Sequence, residues 1–340
     1  MLCRSCNVLF RVQCTSKLNI MRSTAKQSAT EERDPAPIFF NSNVQQLLKK
    51  LTRVDLNKVF RTKNYGVPLR APEYKFLTTE ELDEAMKNAE KKAERKLQMP
   101  PVVKVRTEEP EVLSYDCELQ DHSETKFVFT DISFGFSDRE RMIVVRDVNG
   151  TLRKATPDER HRMNETYFPR SGRKLRMPHM FEKEYLKRLL DQGNYEFVLD
   201  RACLQFEPDD PTYQDVTATT YEAVERAQHY NSLRSTRHFG PFAFHLAWNK
   251  SIDSLLLDLI ETDRLDEAVS LIQLYHIVNP EAKSVSSHFE PGLEHSFIQA
   301  YVESDSKKRS VLELALQANV ELHKQRAEVE AGVRRAHGHT

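Results

Sequence analysis

The sequence predicts a mainly α-helical protein: an irregular, solenoid-like helical domain with a small β-hairpin element and an extended N-terminal helical arm. Three observations carry this. Over most of residues 179–325, apolar residues recur at three- and four-residue spacing in short runs separated by turn residues, as amphipathic helices require. Residues 126–155 are instead dense in aromatic and β-branched side chains around an Asn149-Gly150 pair, the mark of a hairpin. Between Asp34 and Glu124 proline-containing stretches separate the helices, and the stripe Leu82, Ala85, Ala89, Ala93 and Leu97 is too thin for a core of its own, so that stretch reads as an arm. The expected organisation is a cleaved leader over 1–30, the arm with helices and linker over 31–124, the hairpin and basic segment over 125–178, the helical domain over 179–325 and a tail over 326–340.

The leader is legible from charge. Residues 1–30 carry Arg4, Arg11, Lys17, Arg22 and Lys26 with no Asp or Glu, and they are rich in Ser and Thr. That is the composition of a mitochondrial transit peptide, with cleavage expected between Arg22 and Thr30. Arg11, Gln13 and Lys17 interrupt the apolar residues before they reach the length of a secretory core. The formal net charge is −1 over 340 residues, so the +5 of the leader leaves −6 on the remainder. A basic field is therefore local in the mature chain.

In the arm, Val44, Leu47, Leu48 and Leu51 recur at helical spacing behind the possible caps Asn41 and Ser42. Gly66, Pro68 and Pro72 interrupt the chain next. Thr78-Thr79-Glu80-Glu81 is a capping-box pattern that opens a helix with the stripe Leu82, Ala85, Ala89, Ala93 and Leu97,. Its other faces are Lys and Glu, suited to lying along a partner or to i,i+4 lacing. Met99-Pro100-Pro101 ends it, and an acidic connector follows to Glu124.

In the next segment, Lys126–Phe136 and Met142–Val148 read as strands, and Asn149-Gly150 before Thr151–Ala155 predicts a two-residue type I′ turn,. Thr156-Pro157-Asp158-Glu159 is a helix start with a capping hydroxyl, proline at the first position and two acids at the positive end of the dipole,. Helices then follow in pairs, clearest in Ser254–Ile260 and Leu265–Tyr275, closed by Asn279-Pro280. This pair resembles one α-solenoid unit, without the strict 34-residue period of a regular array.

Exclusions come from spacing. No two of the 9 glycines are separated by the distances that GxGxxG, GxxxxGK or GxSxG demand,. No two of the 12 histidines stand four apart, so HExxH is absent. Cys3-x-x-Cys6 lies in the leader with Cys14 and has no second CxxC, while Cys117 and Cys203 stand far apart as ordinary reduced thiols,. No apolar run approaches the ~18 residues of a membrane span. His238, His245 and His276 sit among apolar neighbours without a partnered nucleophile. No catalytic group, cofactor, metal or small-molecule substrate is expected.

What remains is cationic. From Arg139 to Arg176 eleven basic residues stand against five acids, nine of the eleven being Arg, which suits bidentate phosphate contacts. Arg139, Arg141, Arg146, Arg153, Lys154, Arg170, Arg173, Lys174 and Arg176 are candidates for contact with RNA or with an acidic protein. The alternative is a surface paired with the acidic connector before it. Arg234 and Arg237, in the junction Leu233–Gly240, are further candidates, or they lock that turn.

Ordered motifs add a resemblance. Leu97-Gln-Met-Pro-Pro101, Lys126-Phe-Val-Phe-Thr-Asp-Ile-Ser133, Arg139-Glu-Arg-Met-Ile-Val-Val-Arg146, Gly150-Thr-Leu-Arg-Lys-Ala155, Tyr167-Phe-Pro169, Gln205-Phe-Glu-Pro-Asp209, Leu233-Arg-Ser-Thr-Arg237 and Gln273-Leu-Tyr-His276 resemble the animal mitochondrial small-ribosomal-subunit proteins numbered twenty-two in the mitochondrial series. The resemblance spans roughly residues 40–325. It implies a non-catalytic component of the mitochondrial small ribosomal subunit in the matrix, without bacterial counterpart. Its partners would be other mitochondrial small-subunit proteins and, to a lesser degree, small-subunit ribosomal RNA. The alternative function is a mitochondrial helical-repeat RNA-binding regulator outside the ribosome.

Overall fold

The computed structural model describes residues 33–61, 71, 73–106, 109–120, 124–287 and 289–336. The expected leader with Cys3, Cys6 and Cys14, the turn at Gly66, Pro68 and Pro72, and His337 and His339 of the tail lie outside the described residues. Among those described, the elements in order are α1 (Ala36–Phe39), α2 (Ser42–Thr52), α3 (Leu56–Val59), α4 (Thr79–Lys96), β1 (Val112–Tyr115), β2 (Phe127–Thr130), β3 (Ile143–Arg146), β4 (Thr151–Lys154), α5 (Pro157–Tyr167), α6 (Lys183–Asp191), α7 (Tyr195–Gln205), α8 (Pro211–Ala227), α9 (Tyr230–Leu233), α10 (Phe239–Trp248), α11 (Asp253–Glu261), α12 (Leu265–Val278), α13 (Glu294–Ser304) and α14 (Arg309–Ala336). The fold is mainly helical with a small antiparallel sheet, as the sequence predicts.

α10 is the axis of the body. Phe239-Gly-Pro-Phe-Ala-Phe-His-Leu-Ala-Trp248 is apolar nearly all round, and such a helix is stable only when covered on every side. It is packed by α2, α8 and α12, with Phe39 and Phe244 meeting edge to face at 5.3 Å. Each fully buried Phe or Leu contributes on the order of 1.5–3 kcal/mol. α2 begins where Asn41 Oδ1 accepts from the amide of Asn43, and its Val44, Leu48 and Leu51 are buried against α10 and α12. The first part of the expected arm is therefore core: its narrow stripe is one wall of a shared interior.

The later helices stack as sequential neighbours, α11 on α12, α12 on α13 and α13 on α14, with α14 returning to α11. Buried Asp253 fastens this return. Its Oδ1 accepts from the Tyr301 hydroxyl at 2.8 Å, and its Oδ2 accepts from the amides of Lys307 and Lys308 at the start of α14, where a carboxylate suits the positive end of the helix. Leu312, Leu316 and Asn319 bury the first turns of α14. From Val320 to Arg334 it is exposed.

α4 starts on the expected capping box, Thr78 and Glu81 satisfying each other's amides, and it packs on α3. Of its stripe only Ala93 is buried; Leu82 and Met86 are each half exposed. Among the described residues no ion pair joins two residues of α4, so the expected lacing does not form.

The sheet has the order β1-β4-β3-β2, all pairs antiparallel. It exceeds the expected hairpin by β1, which comes from the connector and pairs with β4 through a register shift between Val112 and Ser114. The β3–β4 turn also differs from the expected type I′. Gly150 alone has a positive φ, +80°, and Asn149 does not. The Gly150 amide donates to the Asp147 carbonyl, and the Asp147 amide to the Thr151 carbonyl, which makes a three-residue loop ending in a glycine bulge. Tertiary contact selects it: the Gly150 carbonyl accepts from the Asp116 amide, and a Cβ on Gly150 would strike the Asp116 carbonyl.

Candidate functional site

The basic segment folds into the sheet, α5 and the loop to Phe181. α5 opens with the reciprocal capping box of Thr156 and Glu159. Arg153 reaches the same carboxylate from β4: Nη1 and Nη2 donate to Glu159 at 2.8 and 3.0 Å, and Nε and Nη2 donate to Asp147 at 2.7 and 3.2 Å. The Arg153 guanidinium, helped by the Thr156 amide and hydroxyl, holds the Glu159 carboxyl down at about 2. Asp147 is lowered by the same guanidinium. Arg153 thus bolts the hairpin end to the start of α5.

Arg141 is equally enclosed. Its Nη1 donates to the carbonyls of Asp131 and Ser133, and its Nη2 to that of Phe136. Its guanidinium carbon stands 3.6 Å from the centre of the Phe168 ring. Asp138, buried, receives Arg170 Nε at 2.9 Å and Arg173 Nη1 at 3.4 Å, and its carbonyl accepts from Asn164. Arg139 donates to Asp209 at 2.7 Å, Arg106 to Asp210 at 2.9 Å, and Arg160 faces Glu207 at 3.8 Å. Lys154 pairs with Glu111 at 2.6 Å. Cations that read as a contact surface mostly fasten the segment to itself and to the acidic turn Glu207–Asp210. Among the described residues, only Glu111, for Lys154, comes from the connector.

Arg234 and Arg237 lock their junction. Arg234 donates to Glu267 at 2.7 Å and to Asp258 at 3.2 Å, joining it to α11 and α12. The amide of Ser235, which holds a φ of +58°, donates to the carbonyl of Thr52 at the end of α2. Arg237 donates to Asp200 Oδ1 from Nε and Nη2 at 3.0 and 2.7 Å, and His238 Nε2 lies 2.9 Å from the same oxygen. Burial lowers the His238 pKa, while Asp200 opposes that shift.

Among the described residues, Arg146, Arg162, Lys174 and Arg176 have no carboxylate partner. Lys174 is presented by its backbone, whose amide donates to Gln205 Oε1 and whose carbonyl accepts from Gln205 Nε2. The more conspicuous outward feature is apolar. Phe127 and Phe129 of edge strand β2, then Ile132, Phe134 and Phe136 in the loop that Arg141 shapes, are half exposed or more, with Phe134 90% exposed. Exposed apolar clusters of this kind mark interaction surfaces. The composition of Lys126–Phe136 predicts strand throughout; β2 instead ends at Thr130, and among the described residues no strand pairs with its outer edge.

Among the described residues no group of three His, Cys, Asp or Glu side chains could hold a metal. His276 Nε2 lies 2.7 Å from Ser284 Oγ, but Ser284 is buried and Asp305 accepts from the backbone amide of Ser284. A nucleophile needs access and a base oriented by its third partner. No helix of the described residues is long and apolar enough to cross a membrane.

Comparison with known proteins agrees with this geometry. Residues 37–280 match the family model described as mitochondrial 28S ribosomal protein S22. The chain is 40% identical over 304 residues to the small ribosomal subunit protein mS22 of Mus musculus, covering 89% of this chain and 84% of that protein. It is 41% identical over 283 residues to the protein of the same name from Bos taurus, covering 83% and 78%. The matched region runs from α1 through the arginine-fastened segment to the end of α12, and the chain belongs to the mitochondrial 28S ribosomal protein S22 family.

Proposed function

We infer that this chain is a non-catalytic structural component of the mitochondrial small ribosomal subunit, working in the matrix in support of mitochondrial translation. The observation that carries this reading is the extent of the family match, which takes in the core and the basic segment alike. Its partners are other small-subunit proteins and small-subunit ribosomal RNA. Protein contact dominates, because most of the basic segment's arginines are neutralised within the chain while the β2 edge, the α4 stripe and the outer half of α14 leave apolar side chains uncovered. Arg146, Lys174 and Arg176 supply the RNA contact of the basic segment. Affinity spread over several such surfaces adds up through effective concentration.

Sedimentation of the tagged chain from lysed mitochondria tests this, with a magnesium-chelated control that separates the subunits. Stoichiometric migration with the small subunit in both gradients is expected. Migration near the top of the gradient, or only in a ribonuclease-sensitive trace, would replace it with a transcript-binding regulator.

A further inference from the structure

A cleft lies where the end of α4 and the strap Gln98–Pro101 cross α7, the Phe206–Pro208 turn and α8. Its volume is about 360 Å³, inside the roughly 300–1,000 Å³ of small-ligand sites. Three cations line it, Arg95 and Lys96 from α4 and Arg237 from the junction before α10, and no Asp or Glu lines it. The floor is apolar and aromatic, from Met99, Phe206 and Tyr213.

We propose that this cleft binds one unpaired nucleotide of a single-stranded RNA, the base against the apolar floor and the phosphate among Arg95, Lys96 and Arg237. Three features favour an anion here. Among the described residues Arg95 has no carboxylate partner. Lys96 is held 4.6 Å from the Phe60 ring centre, a contact that orients its charge without cancelling it. Asp200 takes Nε and Nη2 of Arg237, and among the described residues none pairs with Nη1. A neighbouring cleft makes the contrast: it holds Arg106, Arg160 and Arg173, but Asp158, Glu207 and Asp210 line it too. There the chain supplies its own anions. In the α4 cleft Asp200 compensates Arg237 from outside the lining, and among the described residues Arg95 and Lys96 meet no carboxylate.

The floor decides between ligands. An acidic side chain would meet the cations and leave the aromatic surface bare, whereas a nucleotide joins a flat π-face to a phosphate, the combination that single-strand sites use. The proposal rests on the ribosomal reading only for the source of the RNA.

The test uses the purified full chain, a fluorescein-labelled decauridylate, unlabelled UMP and a poly-glutamate competitor, read by anisotropy at low and physiological salt. Arg95→Glu with Lys96→Glu should weaken decauridylate binding by tenfold or more and flatten its salt dependence by roughly one unit of slope. Both residues are exposed, so unchanged thermal unfolding serves as the folding control. In the unmodified chain, decauridylate should slow alkylation of Cys203, which lines the cleft, and leave exposed Cys117 untouched. Binding that ignores the double substitution overturns the proposal. So does UMP binding as tightly as the decamer, which would mean a free-nucleotide site, or poly-glutamate displacing the RNA at equal charge, which would mean an acidic protein. The gradient experiment reads the other claim separately: a chain that binds RNA through this cleft yet runs free of subunits refutes the ribosomal reading and keeps the cleft.

Discussion

The sulfur of Met99 occupies the space that a Cβ on Gly240 would need. Gly240 has an ordinary helical φ in the first turn of α10, so its hydrogen side chain is required by close approach. The contact seats the strap that follows α4 on the central helix, and so sets the position of Arg95 and Lys96.

Gly240→Ala sets two effects against each other. Alanine improves helix propensity by ~1 kcal/mol, and displacement of a seated methionine costs ~1–3 kcal/mol. Net destabilisation of about 1 kcal/mol is expected in denaturant unfolding, with faster proteolysis near Met99. Adding Met99→Ala should recover part of the loss. Additive effects in the double variant would show that the two residues do not couple.

Arg234 is 5% exposed and forked between Glu267 and Asp258. Removing one partner of a buried pair leaves charge uncompensated, so Arg234→Ala should cost about 3–5 kcal/mol. Arg234→Lys should recover little of it, because an ammonium cannot span two carboxylates in this geometry. A lysine variant with wild-type unfolding would show that charge alone suffices.

Burial pushes His245 down from 6.5 to about 4. Its imidazole, 2.9 Å from the Asn249 side-chain nitrogen, stays neutral in the folded chain while the unfolded chain takes up a proton below about 6.5. Stability from this group is therefore full above 6.5 and declines as pH falls towards 4, by about 3 kcal/mol if the whole shift is expressed. Glu159 acts in a lower window: its depressed carboxyl contributes fully above 4.5 and is lost as pH falls through about 2. Unfolding of His245→Gln should shrink the upper phase, to which buried His238 and His276 also contribute, and keep the lower. Identical profiles for variant and wild type across the upper window would refute the assignment.

Leu82 and Met86 are half exposed on a helix that touches the body mainly at α3 and buries one alanine. Leu82→Asp with Met86→Asp should change the unfolding free energy by less than about 0.5 kcal/mol, as surface changes do. Co-sedimentation with the small subunit should fall several-fold. Full incorporation of this variant would remove α4 from the docking surfaces.

Local chemistry was readable in the chain. Thr78 with Glu81 and Thr156-Pro157 with Glu159 start helices where they should, because a capping box is satisfied within four residues and needs no distant partner,. Long-range placement was not readable. Whether a stripe is covered depends on what the rest of the chain brings to it, so α2 entered the core while α4, with a similar spacing, stayed outside. Gly150 took a bulge over the two-residue turn because Asp116, more than thirty residues earlier, met its carbonyl. An arginine has one composition whether it faces RNA or a carboxylate; only folding, which set Asp138, Asp200, Glu207 and Glu267 against their partners, decided which charges were neutralised and left Arg95 and Lys96 beside an apolar floor.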